Sequence, residues 1–339
     1  MRPGLFALLA LFGTTLSAQL PPGQPWIGPG GLNYRHATVL TKGPYIAPEY
    51  AGDASYNYYI YEPADPTPAS APVVLLLPGF QVPSEAFYAG WITHLVRKGH
   101  TVVWARWDQG LITIDKFTEQ AENSYRDALR RIAKKSDGHV PMAKDWLGRP
   151  LTAMTGHSAG AWLAAILAGR ANMPGSTMPR PQAVVAFEPS GFVAADPMQW
   201  MDWSTKLLVV VGDDDGLVCD GGAKILWEKT AHLPDANRDY LVVRSDERTP
   251  GGMVAGHLFP LSLPFPNPLL GVDPLDYYGT YRYSTAAFQC GWYGWNCATA
   301  LGNGAPEQTF MGLWSDGQPA TPTLWVADPA GFTPACAQK

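Results

Sequence analysis

Short apolar runs alternate with longer amphipathic segments through the middle of the chain. The run Val73–Leu77 is wholly apolar and is bounded by Pro72 and Pro78. Such a run predicts a strand that is buried on both faces of a parallel sheet. A segment rich in aromatic residues at 56–63 predicts a strand before it. The later predicted strands lie at about residues 101–107, 151–155, 184–188, 207–211 and 240–245.

The segments between these strands have the spacing of helices. Ser84 is a candidate N-cap for the first helix, and Gly99 stands where that helix would end. The later helices are predicted at about residues 117–135, 159–169 and 223–233. Strands that alternate with helices of this length imply right-handed crossovers. The sequence therefore predicts an α/β fold, with a mainly parallel central sheet and helices on both faces.

The two ends of the chain differ from this core, which we assign to residues 52–262. Residues 1–18 combine a basic start, a short apolar stretch and small residues near Ala18, which is the pattern of a cleaved signal peptide. Residues 19–51 show no sustained period and are predicted to form an N-terminal arm. Residues 263–339 follow without a linker and are predicted to be a C-terminal extension packed on the same domain. We therefore expect a secreted or periplasmic protein with no stable membrane insertion after signal cleavage.

Charge and cysteine content narrow the possible partners. The formal net charge is -5, and the acidic and basic residues are interspersed, so a nucleic-acid partner is not expected.

The four cysteines would form two disulfides in an oxidising compartment. Cys290 and Cys297 are close enough in sequence to close a small loop, which leaves Cys219 for Cys336. A bond from Cys219 to either middle cysteine is an open alternative, whereas a metal site lacks nearby partners.

A G-x-S-x-G pattern occupies residues 156–160, between a predicted strand and a predicted helix. Small residues on either side allow the hydroxyl of Ser158 to project from the end of the sheet, which makes it the candidate nucleophile. The N–H of Ala159, at the start of the helix, is a candidate oxyanion donor. His157 is expected to pack beside the nucleophile and to border the substrate pocket.

With this motif in this position, the chain resembles the α/β-hydrolase superfamily over about residues 56–260. The order of its elements is most similar to the group of dienelactone hydrolases, polyester hydrolases and platelet-activating-factor acetylhydrolases. The resemblance implies an α/β-hydrolase fold and a triad in the order Ser, acid, His. Asp215 holds the acid position in a loop that resembles G-x-x-D-x-x-V. His257 is the only histidine after the last predicted strand and is the candidate base.

The acid of the predicted triad has competing candidates, and the second oxyanion donor is assigned from the resemblance. Asp213 and Asp214, beside Asp215 in the same loop, compete with it for the role of acid. Glu188, at the end of the preceding strand, also competes and could equally border the substrate cleft. The resemblance also implies a second oxyanion donor in the loop after Val73–Leu77. The N–H of Phe80 would pair there with the N–H of Ala159, and the Phe80 ring would line the acyl pocket. The HGGG form of this loop is absent.

These residues predict an exported serine hydrolase that cleaves carboxylic esters through an acyl-enzyme intermediate. The substrate would be a small-molecule or polymeric ester. The scheme uses no metal and no organic cofactor. Two alternatives remain open at this stage, a peptidase or amidase with the same triad and an inactive binding protein on a hydrolase scaffold.

Overall fold

The computed structural model describes residues 19–107, 116–191, 193–246, 248, 252–267, 270–334 and 336. The predicted signal peptide at residues 1–18 lies outside this range. No helix in the described part of the chain is long and apolar enough to cross a membrane.

Nine strands of the described residues form one sheet, in the order β1-β2-β4-β3-β5-β6-β7-β8-β9. The strands are β1 (Thr38–Ile46), β2 (Asn57–Ala64), β3 (Val73–Leu77), β4 (Thr101–Ala105), β5 (Thr152–His157), β6 (Ala183–Phe187), β7 (Lys206–Gly212), β8 (Arg238–Val243) and β9 (Leu324–Trp325). The six strands from β4 to β8 in this order pair in parallel, and β1, β2 and β9 join antiparallel at the two edges. The predicted mainly parallel sheet is confirmed.

Helices cover both faces of this sheet. They are α1 (Ala89–Arg97), α2 (Phe117–Ala133), α3 (Ala159–Asn172), α4 (Gly221–Lys229), α5 (Tyr281–Tyr293), α6 (Cys297–Ala300) and α7 (Pro306–Thr309). Alternate residues of β3 face opposite sides of the sheet. Val73, Leu75 and Leu77 pack in the core that α2, α3 and α4 cover, and Val74 and Leu76 pack in the core under α1 and α5. A wholly apolar strand is stable here because both of its faces exclude water.

The predicted first helix has a more complex start than its sequence pattern suggests. A 3-10 turn at Glu85–Tyr88 comes before α1, and the Ser84 hydroxyl accepts a hydrogen bond from the N–H of Ala86 at 3.2 Å. The chain leaves the helix at Gly99, which has a φ of +105° that other residues rarely adopt. Both predicted boundary signals therefore act at the two ends of this segment.

The predicted N-terminal arm contains the strand β1 and, after it, a 3-10 turn at Pro48–Tyr50. Most side chains of β1 are partly or fully exposed, and its register with β2 shifts between Lys42 and Tyr45. An exposed edge strand with a shifted register has no hydrophobic period, which explains why the pattern of apolar residues did not predict it.

The C-terminal residues pack on the same sheet as the rest of the chain. Helix α5 lies in the core under β6 and β7, and β9 pairs with β8. Disulfides join Cys290 to Cys297 and Cys219 to Cys336. This is the pairing that follows from closing the small loop first, and the second bond ties the chain just after β7 to the C-terminus.

Candidate active site

Ser158 occupies the sharp turn between β5 and α3. Its φ of 56° and ψ of -126° lie outside the regions that residues with a side chain usually adopt. The N–H of Ser158 donates to the carbonyl oxygen of Phe187 at 2.9 Å, which ties the turn to the end of β6. A strained backbone held by its neighbours is typical of a functional residue. The turn presents the Ser158 hydroxyl at the carboxyl edge of the parallel strands.

The two glycines of the motif allow a close approach of backbone to backbone. A Cβ atom on Gly156 would lie 2.5 Å from the carbonyl carbon of Gly160. A Cβ atom on Gly160 would lie closer than 3.0 Å to the carbonyl oxygens of Leu77 and Pro78. Glycine at 160 therefore allows the first turn of α3 to contact the end of β3, and glycine at 156 allows β5 to contact that same turn.

The structure brings Ser158, His257 and Asp215 together in one hydrogen-bonded line. Nε2 of His257 lies 2.9 Å from Oγ of Ser158, and Nδ1 of His257 lies 2.8 Å from a carboxylate oxygen of Asp215. All three side chains are buried or nearly so. The second oxygen of Asp215 accepts the backbone N–H groups of Leu217 and Val218.

The charge state of Asp215 sets the tautomer of His257. Burial acts to raise the pKa of Asp215, but hydrogen bonding by His257, Glu188 and the backbone outweighs burial and lowers the pKa to about 2. The ionised carboxylate can only accept a hydrogen bond, so Nδ1 of His257 carries the proton. Nε2 is then free to accept the proton of Ser158.

Glu188 lies behind Asp215 rather than in an open cleft. It is fully buried, and one carboxyl oxygen accepts the N–H of Gly212 at 2.5 Å. Burial raises the pKa of Glu188 well above its usual range, and the nearby charge of Asp215 acts in the same direction. The described residues include one group whose donor atoms lie close enough to hold a cation, within 4.8 Å, and it consists of Glu188, Asp215 and His257. Both ring nitrogens of His257 and both carboxylate oxygens of Asp215 already have hydrogen-bond partners within the protein.

His157, the residue before the nucleophile, is buried, and both of its ring nitrogens are hydrogen-bonded. Its Nδ1 contacts the hydroxyl of Tyr88 at 3.1 Å, and its Nε2 contacts the carbonyl oxygen of His257 at 2.7 Å. Burial, aided by the neighbouring His257, lowers the pKa of His157 to about 3. The neutral ring therefore donates from Nε2 and accepts at Nδ1. Because Tyr88 also accepts the N–H of Gly79, this chain of bonds links the predicted oxyanion loop to the base.

The two candidate oxyanion residues lie on adjoining elements. Ala159 is the first residue of α3, where an N–H has no acceptor within the helix. The close contact of Gly160 with Pro78 brings the loop that carries Phe80 next to the start of α3. The Phe80 ring packs against the rings of Trp107 and Phe117, with centroids 6.5 and 5.9 Å away.

Ser190 is a member of the site that the sequence reasoning missed. Its Oγ lies 3.0 Å from Oγ of Ser158. The residue follows the strand β6 after a short turn, in the segment Phe187-Glu188-Pro189-Ser190-Gly191, which also contains the acid candidate Glu188. A small polar residue after a strand that neighbours the nucleophile strand is the signal that points to such a position.

Residues 74–237 match a family model described as Serine hydrolase (FSH1). The matched segment runs from β3 almost to β8, so it contains Ser158 and Asp215 and ends before His257. No curated protein matches the chain significantly. The chain is similar to this family over just under half its length, and its fold is that of an α/β-hydrolase. Together they support a serine hydrolase of the α/β-hydrolase type.

The contact between α3 and β3 predicts a strong effect of a single methyl group. Gly160→Ala should lower the free energy of unfolding by about 2 kcal/mol or more, because the added Cβ overlaps two carbonyl oxygens. Urea unfolding followed by circular dichroism measures the change. Gly221→Ala is the matched control, since a Cβ there meets nothing within 4 Å at the start of α4. The control should be neutral or slightly stabilising, and equal stability of the Gly160→Ala variant would contradict the steric argument.

Proposed function

We propose that this protein hydrolyses carboxylic esters through a covalent intermediate on Ser158. The observation that carries the proposal is the unbroken hydrogen-bonded line from Asp215 through His257 to Ser158. A serine hydroxyl is a weak nucleophile until an adjacent base removes its proton. Here His257 is placed to act as this base, and Asp215 is placed to orient His257.

In the acylation step, Oγ of Ser158 attacks the acyl carbon while Nε2 of His257 takes the hydroxyl proton. The imidazolium that forms is stabilised by the carboxylate of Asp215, which stays ionised throughout. The imidazolium then gives its proton to the alcohol that leaves. The N–H groups of Ala159 and Phe80 would donate to the oxyanion, because both belong to backbone held in place before substrate arrives.

In the deacylation step, water replaces the alcohol and attacks the acyl carbon of the intermediate. His257 takes a proton from this water and returns it to Oγ of Ser158 as the acyl group leaves as an acid. The enzyme is then restored. Every proton transfer in this cycle uses a residue that is already hydrogen-bonded in the resting site.

Exposed apolar residues close in sequence to two members of the triad favour a substrate with an apolar acyl group. Leu217 and Leu258, which flank Asp215 and His257 in the sequence, are 72% and 43% exposed. The buried neutral Glu188 adds no charge to this region. These residues would remove apolar substrate surface from water and so contribute binding free energy.

We also propose that the protein acts after export. The pattern of a signal peptide in residues 1–18 and the two disulfides support this, because disulfides persist in oxidising compartments. The ester would then be an extracellular or periplasmic compound, either a small molecule or an accessible polymer.

Hydrolysis of p-nitrophenyl esters tests the proposal. The wild type should hydrolyse a series of acyl lengths, and Ser158→Ala should lose activity by a factor on the order of 10³ or more without loss of fold. Matched p-nitroanilides separate an esterase from an amidase, and we expect much slower cleavage of the anilides. An active Ser158→Ala variant would exclude the covalent mechanism, and faster cleavage of the anilides would exclude the ester assignment.

A second pair of variants tests which carboxyl group acts as the acid. Asp215→Asn should lower kcat by up to about 10⁴, because the amide favours the unproductive tautomer of His257. Glu188→Gln should stay within about tenfold of the wild type, since a neutral group replaces a neutral group. Asp214→Asn, in the same loop, is the control for local disturbance. A deep loss in Glu188→Gln combined with an active Asp215→Asn variant would assign the acid to the strand β6.

A further inference from the structure

A second hydroxyl contacts the nucleophile in this site. Oγ of Ser190 lies 3.0 Å from Oγ of Ser158, and both side chains are buried. We propose that Ser190 is a catalytic residue that donates a hydrogen bond to Oγ of Ser158 and speeds the departure of this oxygen during deacylation. The inference rests on the proposed function of Ser158.

The hydrogen-bonding pattern of the triad fixes the direction of this bond. Nδ1 of His257 carries a proton that the ionised Asp215 accepts, so the hydroxyl of Ser158 donates to Nε2 of the same ring. The lone pairs of Oγ then remain to accept. Ser190 is therefore the donor in the pair of hydroxyl groups, and its proton points at the oxygen that reacts.

The backbone around Ser190 is held from two sides. A Cβ atom on Gly191 would lie 2.8 Å from the ring of Trp162 on α3, and one on Gly222 of α4 would lie closer than 3.0 Å to the carbonyl oxygen of Pro189. The indole N–H of Trp162 also donates to the carbonyl oxygen of Val193 at 3.0 Å. Pro189 and Gly191, on either side of Ser190, have little room to shift, so the hydroxyl of Ser190 is preorganised against the nucleophile.

The same donor has different effects on the two half-reactions. In the free enzyme Oγ is an alcohol oxygen that accepts the bond well, so the donor stabilises both the ground state and the transition state of acylation. In the acyl-enzyme Oγ is an ester oxygen and a poor acceptor. When the tetrahedral intermediate collapses, the bond from the acyl carbon to Oγ breaks, and Oγ gains negative charge before His257 returns the proton. A donor then stabilises the transition state selectively, which accelerates this step.

Stopped-flow hydrolysis of p-nitrophenyl acetate resolves the two half-reactions. In Ser190→Ala the acylation rate constant should change by less than about threefold, and the deacylation rate constant should fall by about tenfold or more, the effect of losing a hydrogen bond to a charged group. The product trace should then show a burst of one nitrophenolate per enzyme. Both kcat and KM should fall, and kcat/KM should stay nearly constant because it reports acylation.

Conservative variants separate this role from a structural one. Ser190→Thr keeps the hydroxyl and should restore deacylation, and Ser190→Cys serves the same purpose with a weaker donor if the threonine variant does not fold. Equal losses in both half-reactions, or no loss in either, would overturn the assignment of Ser190. Ser158→Ala is measured alongside. Full activity in that variant would instead overturn the proposed function, so the two failures are distinguishable.

Discussion

The close contact between the first turn of α3 and the end of β3 is the constraint on which this site depends. Gly160 lies against the carbonyl oxygens of Leu77 and Pro78 with no space for a side chain. This contact holds the start of α3 beside the loop of Phe80, directly after Ser158 with its positive φ. The nucleophile and both candidate oxyanion donors therefore follow from one packing arrangement. Strain at Ser158 is sustained by the packing of the buried sheet and helices around it.

The protonation states of the two carboxyl groups in the site differ although both groups are fully buried. Their hydrogen bonds and their mutual charge make the difference. Asp215 and Glu188 are both buried carboxyl groups, yet Asp215 stays ionised because His257 and the backbone bond to it. Glu188 stays neutral because burial and the charge of Asp215 act together. Two ionised carboxylates at this spacing would repel each other, so neutrality of one stabilises the charge of the other. His157, neutral for the same reason of burial, connects the predicted oxyanion loop to the candidate base without adding charge.

Much of the fold could be predicted because strands that are buried on both faces of the sheet have wholly apolar sequences. The predicted strand at Val73–Leu77 matches β3 residue for residue, since both cores require apolar side chains there. The edge strand β1 has no such apolar run, because its side chains are partly or fully exposed to solvent. Ser158, Asp215 and His257 could be selected from motif and order. The position of Ser190 after β6 places it near the nucleophile, but its contact with Ser158 could not be predicted, because the turn before it contains Glu188 with a φ of 50°.

The central claim is that Oγ of Ser158, activated by His257, is the nucleophile that forms a covalent intermediate. Labelling with a fluorophosphonate, followed by peptide mass mapping, tests this claim without knowledge of the natural ester. The account predicts one phosphonyl group per chain, attached to Ser158, and strongly slowed labelling in His257→Ala. A label on another residue, or no label on folded protein, would contradict it.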